Sequence, residues 1–173
     1  MRASQFNNKL FGKHLLNKLS GKIIEVNLEK EMIQPLNKES LEKCENLSLA
    51  NDFSDDMFKY AHQFKEADIL AIAAPFADLS FPSMLKIYFE AVTINGLTFH
   101  YTSQGFPEGL TNIKKIIYIT TAGGPIGEYT LDYDYLKALC NLMFSINDIT
   151  CHSAEMLDII DTHEDSILND TIK

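Results

Sequence analysis

The chain predicts a three-layer α/β sandwich built on a parallel sheet, and three observations carry that expectation. Two short apolar runs, residues 67–75 (ADILAIAAP) and 115–120 (KIIYIT), have the length and character of strands covered on both faces. Stretches with apolar residues three and four apart alternate with them, as amphipathic helices do. The spacing between the runs leaves room for right-handed crossover helices, which parallel strands require. At 173 residues the chain is long enough for one domain with a sizeable core, so residues 1–173 are expected to form a single domain.

The elements follow in order. Helical spacing begins almost at once, with Phe6 and Leu10 and then Leu15 and Leu19 on a first helix that Gly21 ends. Residues 22–28 (KIIEVNL) read as a strand. Residues 29–53 are polar, contain Pro35 and hold no sustained period, so they predict a long excursion with one short helix around residues 40–47. Ser54 is placed to cap a helix whose first turn carries Asp55 and Asp56 and whose stripe is Met57, Tyr60, Ala61 and Phe64. The first apolar run then leads into a loop from Pro75 to Pro82. Pro82 suits the first position of a helix with Leu85, Tyr88, Phe89 and Val92 on one face. Asn95-Gly96 ends that helix, and residues 97–101 (LTFHY) are a short extended piece. The second apolar run enters the loop of residues 120–127. A fourth helix follows with Leu136, Leu139, Cys140 and Met143 on one face, then a last strand over residues 148–153 and a short helical tail from His163.

Composition excludes several classes. Lys plus Arg total 15 against 24 for Asp plus Glu, and a net charge of −9 repels phosphate backbones, so nucleic acid is not an expected partner. No apolar run approaches the roughly 20 residues of a membrane span, and the start lacks the apolar core of a signal peptide. A cytoplasmic protein without a membrane partner is the expectation. Cys44, Cys140 and Cys151 are odd in number and widely spaced, which suits reduced thiols rather than a disulfide or zinc framework. Loose carboxylates and a histidine between Asp158 and Asp165 suit a solvated cap better than a metal site. No nucleophile–base set or carboxylate pair marks a catalytic residue.

In parallel sheets of this kind ligands sit beyond the C-terminal ends of the strands. Two such loops, residues 75–82 and 120–127, stand out. The first can aim backbone N–H groups at the edge of a flat ring, and Gly123 and Gly124 remove side chains so that backbone can come close. Read without further context, they also suit any α/β protein that turns at proline and glycine. Phe99 and Tyr101 suit packing or function equally, and His100 alternates with them.

The ordered series Ala74-Pro75-Phe76-Ala77-Asp78-Leu79-Ser80-Phe81-Pro82, Gly96-Leu97-Thr98-Phe99-His100-Tyr101-Thr102, Gly109-Leu110, Lys114-Lys115 and Thr120-Thr121-Ala122-Gly123-Gly124 resembles the FMN-dependent NADH azoreductases, within the flavodoxin-like NAD(P)H:quinone reductases. The match is tight over residues 67–124 and looser over most of the chain. The resemblance implies a flavodoxin-like fold, non-covalent FMN, NADH or NADPH as co-substrate, a quinone or azo compound as electron acceptor, and a homodimer with active sites between subunits. It assigns Pro75, Phe76, Ala77, Asp78, Leu79, Thr121, Ala122, Gly123 and Gly124 to the flavin and Phe99 and Tyr101 to the substrate side. Ala77, Asp78 and Ala122 stand where relatives often carry an aromatic, an amide and an arginine. A carboxylate at Asp78 close to the ring disfavours the anionic reduced flavin.

Members of that family begin with a buried strand and a Ser-rich loop for the FMN phosphate. Here Met1-Arg2-Ala3-Ser4-Gln5 falls where that loop ends, so the resemblance leaves Ser4, the Gln5 backbone and Arg2 to meet a phosphate. The family's first strand is central, and removing it opens a gap of roughly 10 Å between strands that sit ~4.8 Å apart. An altered sheet is therefore expected: the neighbours close up, another segment fills the slot, or the chain is a shortened form of a longer protein. Two functions follow, an FMN-dependent oxidoreductase or a flavodoxin-like protein that has lost FMN and serves as a non-catalytic binding or structural dimer.

Overall fold

The computed structural model describes Gly12 and residues 21–158. Arg2, Ser4, Gln5, the stripe Phe6, Leu10, Leu15 and Leu19, and the tail from His163 lie outside the described residues. The elements in chain order are α1 (Leu28–Glu31), α2 (Lys38–Leu49), a short 3-10 helix (Asp56–Phe58), α3 (Lys59–Glu66), β1 (Ile69–Pro75), α4 (Ser83–Val92), β2 (Phe99–Tyr101), β3 (Pro107–Gly109), β4 (Lys115–Thr121), α5 (Leu131–Phe144) and β5 (Ile149–Ala154).

β1, β4 and β5 form a parallel sheet in the order β1-β4-β5. β4 is central, and every residue of it after Lys115 is buried. This is the continuous apolar strand that its composition calls for. β1 departs from that pattern. Ile72 and Ala74 are buried while Ile69, Ala71 and Ala73 on the opposite face are exposed, the period-2 pattern of a strand covered more fully on one face. Helical Gly12 lies over this face, where a side chain would begin 3.3 Å from the Ala73 Cβ.

Residues 22–27 correct the reading of a strand. They run without a ladder partner, and Leu28 begins α1 with Asn27 as its cap, accepting from Glu29 N at 3.1 Å. A strand exists only where a neighbour takes its hydrogen bonds, and none of the described strands lies within that reach. Val26 and Leu28 still pack on the core, whereas Ile23 and Ile24 are exposed. The parallel sheet has three strands among the described residues, and residues 22–27 pair with none of them.

The excursion after it holds more order than expected. Asn37 and Ser40 form a reciprocal capping box, with Asn37 accepting from Ser40 N at 2.9 Å and Ser40 Oγ accepting from Asn37 N at 2.8 Å. That cap starts α2 earlier than the apolar pattern indicates. Ser54 does not cap the next helix. Its hydroxyl donates to Asp52 Oδ1 at 2.6 Å, and Asp55 accepts from Met57 N at 3.0 Å to open the 3-10 turn that leads into α3.

α3, α4 and α5 cover the sheet face that carries Ile72, Ala74, Ile116 and Tyr118. Phe64, Phe89, Leu136 and Phe144 fill the layer between, each burial contributing roughly 2 kcal/mol. A second, smaller cluster of Phe58, Ala61, Ile94 and Leu97 sits under α2, which contributes Cys44 and Leu47. No helix among the described residues is long and apolar enough to cross a membrane.

The residues 97–101 yield β2, and an unforeseen partner, β3, turns it into an antiparallel hairpin with His100 opposite Glu108. His100 Nε2 lies 3.3 Å from Glu108 Oε2 at the surface.

Candidate functional site

The parallel register of β1 and β4 makes Pro75 and Thr121 partners at the ends of their strands. Both loops therefore leave the same edge side by side, and Phe76 N donates to Thr121 O at 2.9 Å just beyond the last pair. The ladder brings together nine of the sequence-assigned residues, Pro75 to Leu79 and Thr121 to Gly124.

The first loop reverses tightly. Ala77 N donates to Ser80 O at 2.7 Å and Ser80 N returns to Ala77 O at 2.9 Å. Asp78 and Leu79 between them have φ of 51° and 66°. Two positive φ values in a two-residue reversal are the pattern of a type I′ turn, which favours Asn, Asp and Gly. Asp tolerates this conformation; for Leu the left-handed region costs about 1 kcal/mol. The turn exposes both residues and leaves their amides without an acceptor among the described residues.

The second loop continues the sheet before it turns. Ala122 N donates to Ala154 O at 2.9 Å, and the Ala122, Gly123 and Gly124 carbonyls accept from Leu157, Asp158 and Met156 N at 3.1, 3.0 and 3.3 Å. A side chain on Gly123 would meet Asp158, with the Asp158 Cγ at 2.7 Å, whereas at Gly124 nothing lies within 4 Å. The amides of Gly123 and Gly124 find no acceptor among the described residues.

Together the loops offer four main-chain donors, at Asp78, Leu79, Gly123 and Gly124, that have no acceptor among the described residues, beside an open approach at Gly124. This donor set fits the polar edge of a flat heteroaromatic ring that carries carbonyl oxygens. The residues expected at its phosphate, Ser4 and Gln5, lie outside the described residues.

One buried polar pair fixes the second loop's exit. The Tyr118 hydroxyl donates to Asp132 Oδ2 at 2.7 Å, and both residues are buried. Tyr118 lies three residues before the end of β4 and Asp132 in the first turn of α5, so the pair ties the strand before the loop to the helix after it. Burial first, then the bond to Asp132, drives the Tyr118 phenol far above its ordinary range. Burial pushes the Cys140 thiol up to about 12; burial and then the Asp132 charge push Cys151 up to about 11. Both shifts disfavour the thiolate, the nucleophilic form of cysteine.

Phe99 and Tyr101 are placed elsewhere. Phe99 is buried in the main core, and Tyr101 is exposed with its ring centroid 5.4 Å from that of Phe99. Their hairpin docks on the C-terminal end of α5, where Gly109 N donates to Ser145 Oγ at 3.0 Å. The second loop leads into the N-terminal end of the same helix, and 14 residues of helix span about 21 Å. Within one chain the two aromatics and the flavin-assigned loops stand at opposite ends of α5. Sequence reasoning missed Glu155 and Asp132 at this site, where the available signal was a carboxylate just after a strand or at a helix start; Asp158, read as part of a solvated cap, instead lies against Gly123 and its N–H donates to Gly123 O.

Comparison with known proteins bears on the fold and the family. Residues 2–166 match the family model described as flavodoxin-like fold. A protein of Lachnoclostridium phytofermentans named FMN-dependent NADH:quinone oxidoreductase is 39% identical over 140 residues, covering 80% of this chain and 70% of that one. One of the same name from Clostridium beijerinckii is 38% identical over 158 residues, covering 90% and 79%. In overall shape the chain is similar to an FMN-dependent NADH-azoreductase of Bacillus anthracis solved in complex with FMN, with TM-score 0.76, 22% identity and coverage of 98% and 86%. This chain belongs to the flavodoxin-like family that includes the FMN-dependent NADH:quinone oxidoreductases.

Proposed function

We infer that the protein is an FMN-dependent NADH:quinone oxidoreductase. The observation that carries this reading is the set of amides at Asp78, Leu79, Gly123 and Gly124, without an acceptor among the described residues, on two loops joined at Pro75 and Thr121. Relatives 38–39% identical bear that activity in their names.

When bound, FMN supplies a hydride relay from NADH or NADPH to a quinone or azo acceptor in two alternating half-reactions. The chain's own residues bind and orient. Gly123 and Gly124 would offer main-chain N–H groups to the polar edge of the ring, and Asp78 and Leu79 would do the same from the facing turn. Pro75, Phe76 and Ala77 form the wall that keeps water from one side, while Thr121 and Ala122, both buried, anchor the other loop to β4. By the family resemblance, Ser4 and Gln5 would meet the phosphate. The Asp78 carboxylate would oppose negative charge on the ring edge, disfavouring the anionic reduced cofactor and making it a stronger electron donor. A homodimer in the cytoplasm completes the reading: in one chain Phe99 and Tyr101 are a helix length from the loops, and exposed Tyr101 reaches a site from a second copy.

The three strands of the parallel sheet among the described residues, with residues 22–27 paired to none of them, favour a second reading, a non-catalytic dimer that no longer holds FMN. One experiment separates the two. The purified protein, saturated with FMN and freed of excess by gel filtration, is expected to retain the yellow flavin bands, to bleach with NADH under anaerobic conditions and to recover colour with a quinone. A protein that stays colourless at high FMN concentration contradicts the oxidoreductase reading.

A further inference from the structure

The β4–α5 loop is held by a short segment, residues 153–158, that no sequence motif marks. Carbonyls of Ala122, Gly123 and Gly124 all accept from it. The peptide bonds of the described residues are trans, and in a trans peptide the N–H points opposite to the preceding C=O. Turning the Ala122 and Gly123 carbonyls towards this segment therefore turns the amides of Gly123 and Gly124 away from it. The same bonds that stabilise the loop thus create the two outward donors.

One side chain joins this set. Glu155 Oε2 accepts from Ile126 N at 2.8 Å, and its Oε1 accepts from the Ser153 hydroxyl at 3.3 Å. Ile126 is buried, so its amide has little access to water, and a charged acceptor there is a strong partner. The next residue, Met156, has φ of 65°, a left-handed conformation that side chains rarely adopt. The segment is bent against its local preference to bring Glu155 and three amides onto the loop.

We propose that Glu155 is a positioning residue for the cofactor-binding loop: it fixes the loop's far end at Ile126 so that the Gly123 and Gly124 amides stay presented. The role at the cofactor rests on the FMN reading above; the contact itself does not. Amide hydrogen exchange of the FMN-free protein and FMN affinity are to be measured for the wild type, Glu155→Ala and Glu155→Gln. Glu155→Ala is expected to speed exchange at Ile126 about tenfold and to weaken FMN binding about tenfold, the scale of one lost bond to a charged group. Exchange at Ile117 and Ile119 in β4 stays unchanged. Glu155→Gln keeps an acceptor for Ile126 and holds both values within about threefold of the wild type. An unprotected Ile126 amide in the wild type overturns the proposal, as does Glu155→Gln behaving like Glu155→Ala. Faster exchange with unaltered FMN affinity also overturns it. A wild type that takes up no FMN defeats the oxidoreductase reading instead, and the exchange data then decide the Glu155–Ile126 contact alone.

Discussion

Replacing Gly109 by Ala is expected to destabilise the protein by about 3 kcal/mol, the upper end for overpacking. For a chain of this size that lowers the melting temperature by about 10 °C. A Cβ at this position would overlap the carbonyl group of Phe144 and stand 2.8 Å from its Cα. These are backbone atoms at the end of α5, so no rotamer change can make room. Gly109 lies in β3 and its N–H donates to Ser145 Oγ, so the same clash pries the hairpin off the helix. Thermal unfolding followed by circular dichroism measures the shift. A change below about 2 °C would show that the hairpin can move away at little cost. Because Tyr101 rides on this hairpin, the substitution is also expected to weaken any contribution of that residue to a second copy's site.

Asp132→Ala is expected to cost about 3 kcal/mol. Removing the carboxylate strands a fully buried Tyr118 hydroxyl, at about 2–3 kcal/mol for a lost bond to a charged group. It also removes a negative charge from the first turn of α5, where the helix dipole favours one, for roughly 0.5 kcal/mol more. The pair is coupled, so adding Tyr118→Phe to Asp132→Ala should cost less than Tyr118→Phe alone. Urea unfolding of the two single variants and the double variant gives the coupling directly; strictly additive losses would mean that the hydrogen bond contributes nothing. Function follows from position. The pair clamps the strand before and the helix after the loop of residues 122–130, so its loss is expected to loosen the loop along with the fold.

What could be read from the chain alone depended on how local each cause was. The strands Ile69–Pro75 and Lys115–Thr121 were legible because an apolar run ended by proline or glycine carries its own signal. The loops that follow them were legible for the same reason, and the register of Pro75 with Thr121 brings them together as the family resemblance implies. Residues 22–28 misled because a strand is stabilised by its neighbour, and the alternation Ile23-Ile24-Glu25-Val26 says nothing about whether that neighbour is in reach. β3 was invisible because three residues, Pro107-Glu108-Gly109, have no period to read. Asp132, Glu155 and Gly109 act through partners 14, 29 and 36 positions away, and no local pattern encodes such contacts. Cap chemistry fell between: Asn37 could have been found from its side chain alone, whereas the choice of Asp55 over Ser54 depended on a 3-10 turn.

The claim that the two strand-end loops hold the flavin ring through main-chain donors is tested most directly by amide resonances. Labelled protein titrated with FMN is expected to show its largest amide shifts at Asp78, Leu79, Gly123 and Gly124, with smaller shifts around Tyr101 that the second copy's site produces. FMN binding that leaves those four amides where they were would contradict the account.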